Sequence, residues 1–284
     1  MKKEVTLPDG TKVPALGQGT WHMGDSAARE SGEIESLRTG VGLGMTLVDT
    51  AEMYGEGAAE RLVGKAIAGC ERDELFITSK VYPWNAGRAD IFASCDNSLK
   101  RIGTGYLDLY LLHWRGSVPL RETVECMEEL EARGKIRRWG VSNFDTNDME
   151  ELWSVPGGDQ CAVNQVLYHL GSRGIEYDLL PWLRGHGIPV MAYCPVAQAG
   201  KLRRQLLNDA VLREIAEKHG ISVIQLLLAF VLSKPQVIAI PKASNPAHTR
   251  ENAQAAQISL SGEELERIER AFPAPTQKVP LDVE

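Results

Sequence analysis

GQGTWHMG, residues 17–24, spans the end of the first barrel-type strand pattern, ALGQG at 15–19, and the turn after it. Two parallel α/β architectures part company at this stretch. An open doubly wound sheet usually binds its dinucleotide through G-x-G-x-x-G after the first strand, where the glycines let the backbone approach a pyrophosphate. Here the position of the third glycine is held by His22. The nearest match elsewhere, GEGAAE at 55–60, also lacks the third glycine and does not directly follow a strand, so its glycines read as turn residues. No Walker A motif is present. A closed (β/α)₈ barrel, a TIM barrel, requires neither fingerprint.

Outward from this point a regular beat supports the barrel. Short β-rich runs at 15–19, 46–50, 75–80, 107–113, 137–143, 162–168, 189–194 and 237–242 make eight strands. Helical patterns follow near 27–43, 57–69, 88–102, 118–133, 145–153, 176–185, 210–233 and 246–256, the 210–233 segment splitting in two at His219-Gly220. Strict β/α alternation implies a parallel sheet, and eight units imply closure. Asp9-Gly10 predicts a type I′ hairpin capping the N-terminal side. Ser261 with Glu264 three residues later predicts a capping box opening an extra C-terminal helix near 262–271. No linker-like shift interrupts the pattern, so residues 1–284 read as a single domain, within the usual length of one barrel.

The composition, 43% hydrophobic and 24% charged, is that of a soluble globular chain. With a net charge of −7 and no Lys/Arg-rich run, nucleic acid is not an expected partner. No apolar stretch reaches membrane-span length, and the opening MKKEVTLPDGTKVPAL lacks the apolar core of a signal peptide. Five scattered cysteines without C-x-x-C suit a reducing compartment, so the expected location is cytoplasmic.

Barrel active sites gather at the C-terminal ends of the strands. Reading those ends in turn gives Thr20 and Trp21, Asp49, Lys80, His113 and Trp114, Ser142 and Asn143, Gln165, Tyr193 and Lys242. Each has a bland reading alone: Asp49 as a helix cap, Lys80 as a surface residue, His113 as a core histidine. Their convergence on one rim is harder to explain structurally. Tyr54, just past Asp49, completes a set that makes chemical sense. A phenol is a weak acid at neutral pH, and a neighbouring ammonium stabilises its phenolate. Together they would supply a proton to a carbonyl oxygen becoming an alkoxide. A metal site is not expected, because His113 is the only one of six histidines at a strand end and no H-x-H or H-E-x-x-H occurs. The absence of G-x-S-x-G likewise argues against a serine hydrolase.

The motifs GQGTW (17–21), DTAEMYG (49–55), SKV (79–81), LDLYLLHW (107–114), GKIRRWGVSNF (134–144), NQVLYH (164–169), AYCPVAQAG (192–200) and IPKASNPAHTREN (240–252) resemble the aldo-keto reductase superfamily over nearly the whole chain. VYPWNAG (81–87) and the run 164–182 look like a bacterial branch that reduces methylglyoxal and related dicarbonyls. The resemblance implies a catalytic tetrad of Asp49, Tyr54, Lys80 and His113. In it Tyr54 is the general acid, Lys80 lowers the pKa of Tyr54, Asp49 pairs with Lys80 and His113 orients the carbonyl.

It further implies NADPH bound without a Rossmann motif, with NADH as the weaker alternative. Thr20, Trp21 and Asp49 would border the cofactor. Ser142, Asn143 and Gln165 would hold the nicotinamide carboxamide, and Tyr193 would stack on the ring. The pyrophosphate would follow Pro195, Val196, Gln198 and Gly200. Lys242, Ala243 and Ser244 would meet the 2′-phosphate at a helix capped by Ser244 or Asn245, with His248, Glu251 and Asn252 towards the adenine. His248 stands where an arginine is usual, which implies a moderate preference for NADPH. Trp21, Tyr82, Trp84 and Trp114 would wall a pocket for small carbonyl substrates. A monomer is the family default. The alternative the superfamily offers is a redox-sensing regulatory subunit with little turnover.

Overall fold

The computed structural model describes residues 3–284, and its eight parallel strands run in chain order around a barrel. They are β3 (Gln18–Gly19), β4 (Leu47–Asp49), β5 (Phe76–Val81), β6 (Leu109–Leu112), β7 (Trp139–Ser142), β8 (Asn164–Leu167), β9 (Val190–Tyr193) and β10 (Val237–Ala239). Every residue of β4 to β8 is buried, as expected where side chains fill the barrel inside and helices cover it outside.

The barrel closes between the Leu16–Gly19 segment and the Ala239–Lys242 segment. The amide of Gly17 donates to the carbonyl of Ala239 at 2.9 Å, and that of Gly19 to Pro241 at 3.1 Å. A Cβ on Gly19 would sit 2.7 Å from the carbonyl oxygen of Ile240, and one on Gly17 would sit 2.9 Å from that of Leu47. The two glycines therefore serve close strand approach, which is why they resemble a nucleotide fingerprint without being one. The seam pairs through isolated bridges, Leu16 with Ala239 and Gly19 with Lys242. For that reason β3 and β10 are shorter than the runs at 15–19 and 237–242 suggest.

Helices α1 (Ala27–Gly42), α2 (Ala58–Ile67), α3 (Ile91–Ile102), α4 (Leu120–Ala132), α5 (Thr146–Trp153) and α6 (Leu179–Gly185) follow the first six barrel strands. The long segment divides as expected into α8 (Ala210–Lys218) and α9 (Val223–Leu232), and α10 (Pro246–Ala255) follows β10. The extra helix α11 (Gly262–Ala271) opens with the predicted capping box of Ser261 and Glu264.

Two expectations fail. The hairpin of β1 (Glu4–Thr6) and β2 (Lys12–Pro14) does not turn through a type I′ pair, because only Gly10 has positive φ (85°) and Asp9 does not. The amide of Gly10 donates to Leu7 and that of Leu7 to Thr11. Pro8 suits the first turn of such a loop, Gly10 supplies the left-handed residue, and the Asp9 carboxylate takes the Thr11 amide at 2.9 Å. The second failure is α7 (Lys201–Asn208), an eight-residue helix absent from the sequence reading. It is only eight residues long, its composition is mostly polar and charged, and it buries only Leu206, so it reads as part of the loop after β9.

His169, on the loop after β8, is buried and accepts the Gly171 amide at Nδ1 (3.0 Å). Burial pushes its pKa down to about 4, although Asp282 opposes this. A depressed histidine stabilises the fold fully above its unfolded pKa of about 6.5, and that contribution is lost as pH falls towards 4. Urea unfolding at pH 7 and pH 5 should show His169→Gln losing about 2 kcal/mol less stability than wild type over that interval. Parallel losses in both proteins would disprove a buried neutral imidazole.

Candidate active site

Asp49 ends β4, and Lys80 lies one residue from the end of β5, so both reach the same rim from adjacent strands. Tyr54 arrives on the turns between Asp49 and α2. The Lys80 side chain is wholly buried, and its ammonium donates to Asp49 Oδ2 (2.8 Å), the Thr50 carbonyl (2.9 Å) and the Tyr54 hydroxyl oxygen (3.0 Å). These three bonds use every donor an ammonium has. Asp49 Oδ1 accepts the side-chain amide of Gln165 at 2.8 Å, so the carboxylate is bound on both oxygens.

Burial pushes Asp49 up and Lys80 down, and the ion pair between them offsets each shift only in part. The phenol of Tyr54 is raised well above 10, through burial first and then the Asp49 charge. The sequence reading expected Lys80 to lower it. Desolvation wins in the resting site and keeps the phenol protonated. The ammonium remains placed to stabilise negative charge as a proton leaves. Because the phenol oxygen accepts from Lys80, its own hydrogen is free to point elsewhere, and no protein group among the described residues takes it.

His113 follows β6. Its ring centroid is 5.8 Å from that of Tyr54, with the planes at 74°. Burial, and secondarily Lys80, hold its pKa well below 6.5, so the imidazole is neutral. Its Nδ1 is buried without a partner, while its backbone carbonyl accepts the side-chain amide of Asn143 at 3.1 Å. A neutral imidazole without a protein partner can donate one N–H to an oxygen in the cavity.

That cavity, about 340 Å³, runs past Asp49, Tyr54 and His113 to Ser142, Asn143, Gln165 and Tyr193, and then along Pro195–Ala199 to Lys242. Thr20, Trp21, Val196 and Gln198 also line it. Of the six non-glycine residues with positive φ among the described residues, His22, Asn143, Cys194 and Ala197 lie on its walls. Such backbone costs about 1–3 kcal/mol per residue, and its concentration here marks a functional rim. The Tyr193 hydroxyl donates to Asn143 Oδ1 (2.8 Å), which fixes its ring. The Ser142 hydroxyl donates to the Gln165 carbonyl (2.9 Å). With its amide on Asp49, Gln165 has its side-chain oxygen left to offer a ligand.

Other predicted residues lie outside this cavity. Gly200, Ala243, Ser244, His248, Glu251 and Asn252 do not line it. Asn245, not Ser244, caps α10, with its Oδ1 accepting the His248 amide at 3.0 Å. Asn252 is buried in the helix face and His248 is exposed. Tyr82, Trp84 and Trp114 are likewise not cavity walls. They form an aromatic ledge beside it, joined to the site where Trp114 meets His113 at 4.9 Å.

Arg203 and Glu284 line the cavity without having been anticipated. Arg203 belongs to the overlooked α7. Glu284 arrives on a tail held by Lys278, which pairs with Asp145 (3.1 Å) and Asp178 (2.8 Å), and no local pattern announces that path. Among the described residues, no three His, Cys, Asp or Glu side chains are grouped to hold a metal ion. No single helix among the described residues is long and apolar enough to cross a membrane.

Residues 15–272 match the aldo/keto reductase family. The chain is 55% identical to the methylglyoxal reductase YeaE of Escherichia coli (strain K12) over 282 residues, covering 99% of each. It is 36% identical to the glyoxal reductase of Bacillus subtilis (strain 168), covering 95% of this chain and 92% of that one. Among solved structures, an aldo-keto reductase from Klebsiella pneumoniae in complex with NADPH superposes with a TM-score of 0.97 at 55% identity, with both chains fully covered. The barrel with its N-terminal hairpin, the lysine-centred group at its rim and this likeness along the whole chain place the protein in the aldo/keto reductase family.

Proposed function

We propose that this protein uses NADPH to reduce small aldehydes, ketones and 2-oxoaldehydes such as methylglyoxal to alcohols. The observation that carries the reading is the saturated Lys80 ammonium. It leaves the Tyr54 hydroxyl as a proton donor whose hydrogen is free, facing a cavity shared with a neutral His113.

The residues present fit the cofactor. Arg203 and Lys242 give the cavity two cations, and Gln198 Nε2 is buried without a partner, as suits an anionic, phosphate-bearing ligand. Asn143, Gln165 and Tyr193 would hold its nicotinamide end, Pro195–Ala199 its middle and Lys242 its 2′-phosphate. NADPH, when bound, supplies the hydride. His113 would donate to the substrate oxygen and hold it near Tyr54. Tyr54 would then give up its proton as charge develops on that oxygen, with Lys80 beside the resulting phenolate. Asp49 keeps Lys80 charged and oriented. Turnover of a panel of aldehydes and 2-oxoaldehydes with NADPH tests the reading. Cofactor binding with negligible turnover would instead favour a redox sensor.

Lys242 is exposed at the mouth, near Glu33, Arg29 and Asp25. Replacing it with methionine should weaken NADPH about 10- to 100-fold, the worth of a charge-assisted contact, and leave NADH nearly unchanged. Tryptophan-fluorescence titration of both cofactors measures this. Equal losses for the two would mean that the 2′-phosphate is held elsewhere.

A further inference from the structure

The buried carboxylate of Glu52 takes no part in the chemistry above, yet it joins the two halves of the site. It lies two residues before Tyr54, and its own amide reaches the Lys80 carbonyl at 3.4 Å. Its Oε1 accepts the backbone amide of Tyr82 at 2.8 Å and the side-chain amide of Asn85 at 3.2 Å. These donors bracket the tight turn Pro83–Asn85, which presents Trp84.

Trp84 is 59% exposed, so packing alone does not hold it. It stacks on Tyr82 at 4.4 Å, and both rings meet Trp114, which leans on His113. A closed circuit therefore runs from the Tyr54 turn through Glu52 to the ledge and back to His113. A plain ion pair does not explain Glu52. Arg101 is already bound directly by Glu60, which also takes the Ser79 hydroxyl at 2.6 Å, whereas Glu52 stands 4.0 Å from the guanidinium. Burying a carboxylate is costly unless donors compensate, and burial does push this one up. Its two nearest donors both belong to the ledge.

We infer that Glu52 is a positioning residue that clamps the aromatic ledge to the proton-donor turn, and that it thereby sets how bulky, planar carbonyl substrates seat against Tyr54. The inference rests on the carbonyl-reduction reading for its substrate, but the clamp itself can be observed without turnover.

Two measurements test it on the full-length protein. Amide hydrogen exchange reads the clamp directly. Glu52→Ala should speed exchange of the Tyr82 amide about tenfold or more, and Glu52→Gln, which keeps an acceptor oxygen, should stay within about threefold of wild type. Steady-state kinetics with methylglyoxal and phenylglyoxal read its consequence. In Glu52→Ala the KM for phenylglyoxal should rise about tenfold while that for methylglyoxal moves less than about threefold, and Glu52→Gln should restore the ratio. Asn85→Ala removes a ledge donor without touching the Tyr54 turn and should shift the KM ratio the same way, so the inference stays testable if Glu52→Ala folds poorly. An unchanged Tyr82 amide in Glu52→Ala, an unchanged KM ratio in Asn85→Ala, or a Gln variant as impaired as the Ala variant would each overturn it. A wild type that reduces neither carbonyl would overturn the carbonyl-reduction reading, while the exchange measurement still decides the clamp.

Discussion

Lys80→Met is expected to damage both stability and turnover, because one ammonium performs two separate tasks. Removing it leaves Asp49, 2% exposed, without its counter-charge and with only the Gln165 amide as a side-chain donor. Breaking a buried pair by deleting one partner costs about 3–5 kcal/mol, since the remaining charge is uncompensated. Turnover should fall on the order of 10²- to 10⁴-fold, because nothing then stabilises the phenolate as Tyr54 releases its proton. The two effects can be separated. Asp49→Asn combined with Lys80→Met removes the orphaned charge and should recover much of the stability while turnover stays low. Denaturant unfolding and kcat for wild type, both single variants and the double variant complete the cycle. A Lys80→Met protein as stable as wild type would show that the pair is not desolvated. A double variant that regained activity would show that Lys80 has no role in proton transfer.

Tyr54→Phe should have the cleaner phenotype. The phenol makes a single hydrogen bond to the protein, from Lys80, so its loss disturbs little of the fold. Lys80 keeps its Asp49 and Thr50 partners, and the ring keeps its place 4.6 Å from the ammonium. NADPH affinity by fluorescence titration should therefore stay within about threefold of wild type, while kcat drops on the order of 10²-fold or more with the general acid gone. Turnover within a few-fold of wild type would remove Tyr54 from the mechanism and turn attention to His113 or a water as proton source.

Much of this protein could be read from its sequence, and for local reasons. Alternation of β-rich runs with helical patterns specified eight βα units, since each strand must be apolar on both faces and each helix on one. Missing fingerprint glycines turned the reading from an open sheet to a barrel. The rule that barrel sites collect at the C-terminal strand ends then picked out Asp49, Lys80, His113, Asn143, Gln165 and Tyr193. In the structure all of these but Lys80 line a single cavity, Lys80 contacts Asp49 and Tyr54, and Trp114, marked by the same rule, lies outside the cavity.

Four features depended on the tertiary structure. The direction of the Tyr54 pKa followed from how deeply the phenol is desolvated, a sum over many chain-distant atoms that no motif encodes. The aromatic residues were recognised, but their placement on a ledge instead of the cavity wall depended on the turn at Pro83–Asn85 and its hold on Glu52. Arg203 needed the short helix α7, whose eight mostly polar residues bury only Leu206. Glu284 needed a tail whose course is set by ion pairs from Lys278 to Asp145 and Asp178, a hundred or more residues earlier. By itself the sequence determined the periodic elements and the side chains they carry to the rim. Desolvation, the seating of loops and the path of the tail arise from contacts between distant segments, and those were decided only when the barrel closed.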